Sequence, residues 1–150
     1  MKSLMIDLHN WIKKVSTKKK ELNNYSVCPF ARLFYKSPKL KIIKTTSDNI
    51  IVPDDFFEII IFVIVNKVTQ NQLTLLCNNL NKKYKKLVFL PDHKSRKTFI
   101  KNIQTNNGKH NLIMCQPKNK LKEARNILKK TNYYKNWNKK YLKEIMKFGK

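Results

Sequence analysis

FEIIIFVIVNKVTQNQLTLLCNNLNKKYKKLVFLP, residues 57 to 91, decides how this chain folds. Glu58 to Val65 is nearly continuous in β-branched and aromatic residues, as a strand buried on both faces requires. Thr69 and Gln72 then have the spacing of a capping box, in which each side chain answers the other's backbone amide. Behind them Leu73, Leu76, Cys77, Leu80 and Tyr84 recur at helical spacing. Leu87 to Pro91 is a second apolar strand. Strand, helix and strand follow without interruption, so a right-handed crossover makes the two strands parallel.

Working outward, LKIIKTT at 40–46 reads as a further strand and NLIMCQ at 111–116 as a fourth. Residues 3–23 read as an amphipathic helix, with Leu4, Leu8, Trp11, Ile12, Val15 and Leu22 on one face. Ser3 is its expected N-cap, Asp7 suits its positive end, and Asn23-Asn24 ends it. Pro117 opens a helix carrying Leu121, Ala124, Ile127 and Leu128. A last helix carries Tyr134, Trp137, Tyr141, Leu142, Ile145 and Phe148 and ends at Gly149. Residues 92–110 have no clean period and are expected as a long ordered loop. A short helix capped by Ser95, or a hairpin turned at Asn107-Gly108, is the alternative there. The sum is a single α+β domain over residues 1–150, with a four-stranded mixed sheet. A ferredoxin-like layout with extra N- and C-terminal helices fits it. A doubly wound fold follows instead if 95–106 is a crossover helix.

Charge is the outlier of the composition. Thirty-three basic residues face nine acidic ones, for a net +24. Such a surface attracts polyanions at long range. Only Arg32, Arg96 and Arg125 are arginines, and the remaining bases are lysines. A sequence-specific nucleic-acid reader would use more guanidinium forks. The Lys/Asn/Ile skew is also what codon drift in an AT-rich genome produces. No P-loop, GxGxxG, HExxH or zinc-ligand spacing occurs, and the nine acids are spread thinly, so no metal or cofactor is implied. The N-terminus does not read as a signal peptide, and the apolar run at 56–65 is too short for a membrane helix. Three cysteines without paired spacing fit a reducing cytoplasm.

Three features carry candidate chemistry. Pro29 favours the first helical position, which puts Cys28 at a helix start, where thiolate is stabilised and Arg32 lies one turn on. A packed core sulfur is the alternative. Asp92 and His93 follow the second strand at its carboxyl end, where α/β sheets place ligand sites. They form either a site, with His93 as base to Cys28, or an exposed turn. Arg96 and Arg125 are the remaining candidates for binding an anion, alongside Arg32 and Asp92. At the C-terminal end, Lys129, Lys130, Tyr133, Lys135, Lys139 and Lys140 combine ammonium groups with an aromatic ring, as nucleic-acid binding requires. Tyr134, Trp137 and Tyr141 share the core stripe, leaving Tyr133 for the surface.

Val27-Cys28-Pro29-Phe30-Ala31, preceded by Trp11 in the first helix, resembles the Leu-Cys-Pro-Phe-Ala motif of a bacterial family of small cytosolic proteins of unknown function. The likeness extends over residues 5–128 through the strand-helix-strand unit, the polar loop and NLIMCQPKNKLKEAR. Leu-Pro-Asp-His stands at 90–93 where the family has Phe-His-Pro, and the family's Asn-Arg-Ser-Pro loop stretch is missing. The resemblance implies the fold and the Cys28 turn, and a bacterial or phage source. Two functions result. One is a non-enzymatic, non-sequence-specific binder of nucleic acid or another polyanion. The other is a thiol enzyme or small-anion-binding protein centred on Cys28.

Overall fold

A computed structural model describes residues 2–29, 39–55 and 57–150. Its main sheet is built from β1 (Leu40–Thr45), β2 (Ile59–Ile64), β3 (Leu87–Asp92) and, after a small hairpin, β6 (Asn111–Pro117). The hairpin is β4 (Phe99–Ile100) with β5 (Ile103–Gln104). The helices are α1 (Lys2–Val15), α2 (Gln70–Lys83), α3 (Lys118–Lys129) and α4 (Lys139–Lys147). Strand order is β1-β2-β6-β3. β1 runs parallel to β2, and β6 runs antiparallel to both β2 and β3, so the sheet is mixed.

β2 and β3 therefore point the same way, as the crossover through α2 requires, but β6 lies between them. Burial explains who sits where. β2 and β6 are the most apolar strands and take the centre, where both faces are covered. Ile60, Phe62 and Ile64 pack with Leu73, Cys77 and Leu80 of α2, together with Phe89, Ile113 and Cys115. The alternate residues Ile61 and Val63 pack with Leu4, Leu8 and Ile12 of α1 and with Leu112. A side chain as fully buried as Phe62 or Leu73 contributes about 1.5–3 kcal/mol of transfer free energy.

The outer strands carry edge chemistry. β1 places Lys41 and Lys44 in its middle. β3 contains Pro91, which is tolerated because its position faces away from β6. Two residues earlier, the outward amide and carbonyl of Phe89 are both taken by a side chain. Asn81 Oδ1 accepts from Phe89 N at 2.7 Å, and Asn81 Nδ2 donates to Phe89 O at 3.0 Å. Pro91 shares that outward phase and leaves no ladder donor missing. The α2 side chain thus closes part of the sheet edge.

The capping box at Thr69 forms as expected, with Gln72 N donating to Thr69 Oγ1 and Thr69 N donating to Gln72 Oε1. Several expectations are corrected. Ser3 lies inside α1 and is not its cap. The helix stops at Val15, because Ser16 and Thr17 turn their hydroxyls onto the Lys13 carbonyl and compete for its last turn. Leu22 reaches the core from a separate 3-10 turn, Lys20–Leu22, closed by Asn23 and Asn24 at positive φ. The final helix is split in two. Tyr133–Asn136 is a 3-10 turn, and α4 begins only where Asn138 Oδ1 accepts from Lys140 N and Tyr141 N.

Residues 93–110 form an ordered loop with the two-stranded β4–β5 hairpin inside it. Its turn is at Lys101 (φ 53) and Asn102, not at Asn107-Gly108, and no crossover helix is present there. Asn107 organises the rest. Its Oδ1 accepts from Lys109 N and His110 N, and its Nδ2 donates to His110 O and to Asp92 Oδ2. His110 and Lys109 then pair with Asp7 of α1, and these two hydrogen bonds hold the Asp7 carboxyl below its ordinary range.

Candidate functional site

The largest concavity lies along the β3 edge, between α2 and α4, with a volume of about 750 Å³. Leu87, Pro91 and Phe148 give it apolar surface. Thr74, Asn78 and Asn81 of α2 line one side with neutral polar groups. Lys140, Lys143 and Lys147 line the other from α4, and Lys82, Arg96, Lys118 and Lys150 complete the rim. Glu144 is the one acidic side chain in the lining, and it is ion-paired with Arg96.

The lysine row depends on how α4 is held. Asn138 caps its start. Tyr141 Oη lies 3.2 Å from Thr105 Oγ1. Arg125 closes its end, donating from Nη1 to Phe148 O and from Nη2 to Ile145 O at 3.1 Å. Gly149 follows at φ +89, and a Cβ there would come within 3.1 Å of Arg125 Nη1 and 3.2 Å of Leu121 Cδ2. A side chain would push the guanidinium off the helix end. With Tyr141, Leu142, Ile145 and Phe148 turned toward the body of the protein, residues 140, 143 and 147 fall together on the opposite face.

The structure separates most of the residues singled out from sequence. Cys28 is exposed in a bend, and its amide donates to Val15 O at 2.8 Å, closing the end of α1. Its thiol lies near enough to Tyr133 and Tyr134 to oppose their ionisation. Arg32 and the helix expected after Pro29 lie outside the described residues. His93 is not its base. The imidazole is 7% exposed, its Nε2 is 2.8 Å from Val68 O, and its Nδ1 accepts from Ser95 N. Both ring nitrogens are therefore committed to backbone, in the tautomer protonated at Nε2.

Asp92 and His93 do not form an exposed turn either. Asp92 is 5% exposed beneath the 105–110 loop. Its Oδ2 accepts from Asn107 N and Nδ2, while Oδ1 has no hydrogen-bond partner among the described residues. Burial pushes its carboxyl above the ordinary 3.8, against the lowering effect of the Asn107 bonds, Arg96 and His93. Arg125 is corrected from anion ligand to helix cap, and desolvation lowers its pKa. Tyr133 is corrected from surface ring to core ring. It is 2% exposed, its hydroxyl donates to Val27 O, and it packs against Tyr25, Tyr134 and Trp137 at centroid distances of 5.5, 4.7 and 5.4 Å. A ring in that position cannot stack on a base.

Of the proposed nucleic-acid residues, Lys140 lies in the groove, whereas Lys129, Lys130, Lys135 and Lys139 are exposed elsewhere. Arg96 joins Lys140 there. Lys82, Lys118, Lys143, Lys147 and Lys150 were not picked out. Their signal was present only for α4, as the 140-143-147 spacing of lysine opposite an apolar stripe. Among the described residues no three His, Cys, Asp or Glu side chains cluster to hold a metal, and no helix is long and apolar enough to cross a membrane. Comparison with known proteins finds no matching family model, no matching curated protein and no matching solved structure.

Proposed function

We propose that this protein binds polyanions, nucleic acid first among them, without catalysing a reaction and with little sequence preference. One observation carries this reading: seven cationic side chains share a groove with a single carboxylate that is already paired. A cleft lined by one sign of charge and walled by protein focuses the field and concentrates counter-ions. Lysine ammoniums suit phosphate as point charges, without the bidentate geometry that reads bases. The expected cytoplasmic setting and the kinship through Val27-Cys28-Pro29-Phe30-Ala31 belong to the same proposal. So does the ferredoxin-like layout: β2-α2-β3 with β6 between its strands is a split β-α-β unit, to which β1 adds a parallel edge.

The test is fluorescence anisotropy with labelled oligonucleotides across a salt series. Affinity should fall linearly against log salt, with a slope of about −0.7 to −0.9 per phosphate contacted. Lys143→Glu with Lys147→Glu should abolish binding at moderate salt. Glu144→Gln should tighten it several-fold, by removing the one repulsive charge and releasing Arg96. No binding at ~50 mM salt ends this proposal.

A further inference from the structure

We infer that the groove takes single-stranded nucleic acid and not duplex, an assignment that rests on the polyanion reading above. The two long sides of the groove differ in chemistry. α4 supplies ammonium groups at Lys140, Lys143 and Lys147, whereas α2 supplies neutral Asn78, and Leu87 and Phe148 add apolar surface between them. The lysine row spans about 10 Å along the helix axis. That matches roughly three nucleotide steps of one strand at about 3.4 Å each. A strand lying in the groove places its phosphates on the α4 side. Its bases then turn toward the amide of Asn78 and the apolar surface, which accept any base.

A duplex presents phosphates on both of its outer ridges and keeps its bases stacked inside. It has no use for a polar but uncharged wall. A cavity of about 750 Å³ has the capacity of a small-molecule site, and a duplex would reach only its rim. The cations here are inside. Asn78 is exposed, so it is available to a ligand. Asn81, beside it, is already committed to Phe89 and serves the strand edge instead.

The experiment compares a single-stranded oligonucleotide, the duplex of the same sequence and a nucleoside monophosphate, each across a salt series, with the full chain. The single strand should bind at least about tenfold more tightly than either of the others. Lys143→Ala should make the salt slope shallower by about 0.7, the loss of one single-strand phosphate contact. Asn78→Ala should weaken single-strand binding several-fold and leave the slope unchanged, because it touches no phosphate. Duplex binding equal to or tighter than single strand overturns this assignment while leaving the polyanion reading standing. A monophosphate that binds as well as the oligonucleotide also overturns it, in favour of a small-anion site. Absence of binding by all three at low salt overturns both. Circular dichroism of each variant checks that lost affinity is not lost fold.

Discussion

At the scale of single residues, Asp92 shows how far burial departs from what a residue's neighbours suggest. LPDHKSR reads as the polar exit from a strand, yet the loop folds back and Asn107 donates twice to one carboxylate oxygen. The sign of the pH effect follows from the raised carboxyl. Between the ordinary 3.8 and the higher folded value, the folded state holds more protons than the unfolded state. Stability contributed by this site is therefore lost as pH rises through that window. Asp92→Asn keeps an acceptor for Asn107 and removes the buried charge. Urea unfolding should find the variant more stable than the parent at pH 7, with the gain shrinking as pH falls toward 4. A variant less stable at pH 7 would mean that the carboxylate, through Asn107 and Arg96, outweighs its desolvation. His93 gives the converse lesson. Its identity as a titratable base was legible, but Val68 O and Ser95 N, 25 and 2 residues away, take both nitrogens.

At the scale of elements, the groove exists because α4 is fastened at both ends and along its length. Arg125 is central to this. It sits on α3, two helices' worth of chain away in function from any ligand, and its guanidinium satisfies carbonyls that α4 would leave open. Arg125→Met should cost about 2 kcal/mol of stability, as hydrogen bonds from a charged donor do. It should also weaken oligonucleotide binding although residue 125 does not line the groove. Normal affinity in a destabilised variant would separate the helix cap from the binding surface. The period of the apolar residues made β2, α2, β3, β6 and the buried faces of α1 and α4 legible in the sequence. Helix ends were less so. Ser16 and Thr17 ending α1, and Asn138 starting α4, depend on side-chain competition for a few backbone groups. Strong periodicity in the flanking residues hides such competition.

For the molecule as a whole, the distribution of the three thiols tests the layout of the core. Cys77 and Cys115 are fully buried on the α2 face of the sheet, and burial pushes both thiols up, Cys115 to about 12. Cys28 is exposed. A chromogenic disulfide reagent should modify one thiol per folded chain and three after denaturation. Fast reaction of more than one in the folded protein would contradict the packing of α2 on β2 and β6. The strand-helix-strand unit, the mixed sheet and the excess of lysine were all determined by sequence alone. Periodicity and charge are properties of neighbouring residues, and each segment declares them locally. Only the tertiary structure decided that β6 separates β2 from β3, since strand order depends on which apolar faces meet. Only it gathered Lys82, Arg96, Lys118 and the α4 lysines around one cavity while burying Tyr133 and spending Arg125 on a helix end. Convergence of residues 82 to 150 is a fact of packing, and no spacing along the chain encodes it.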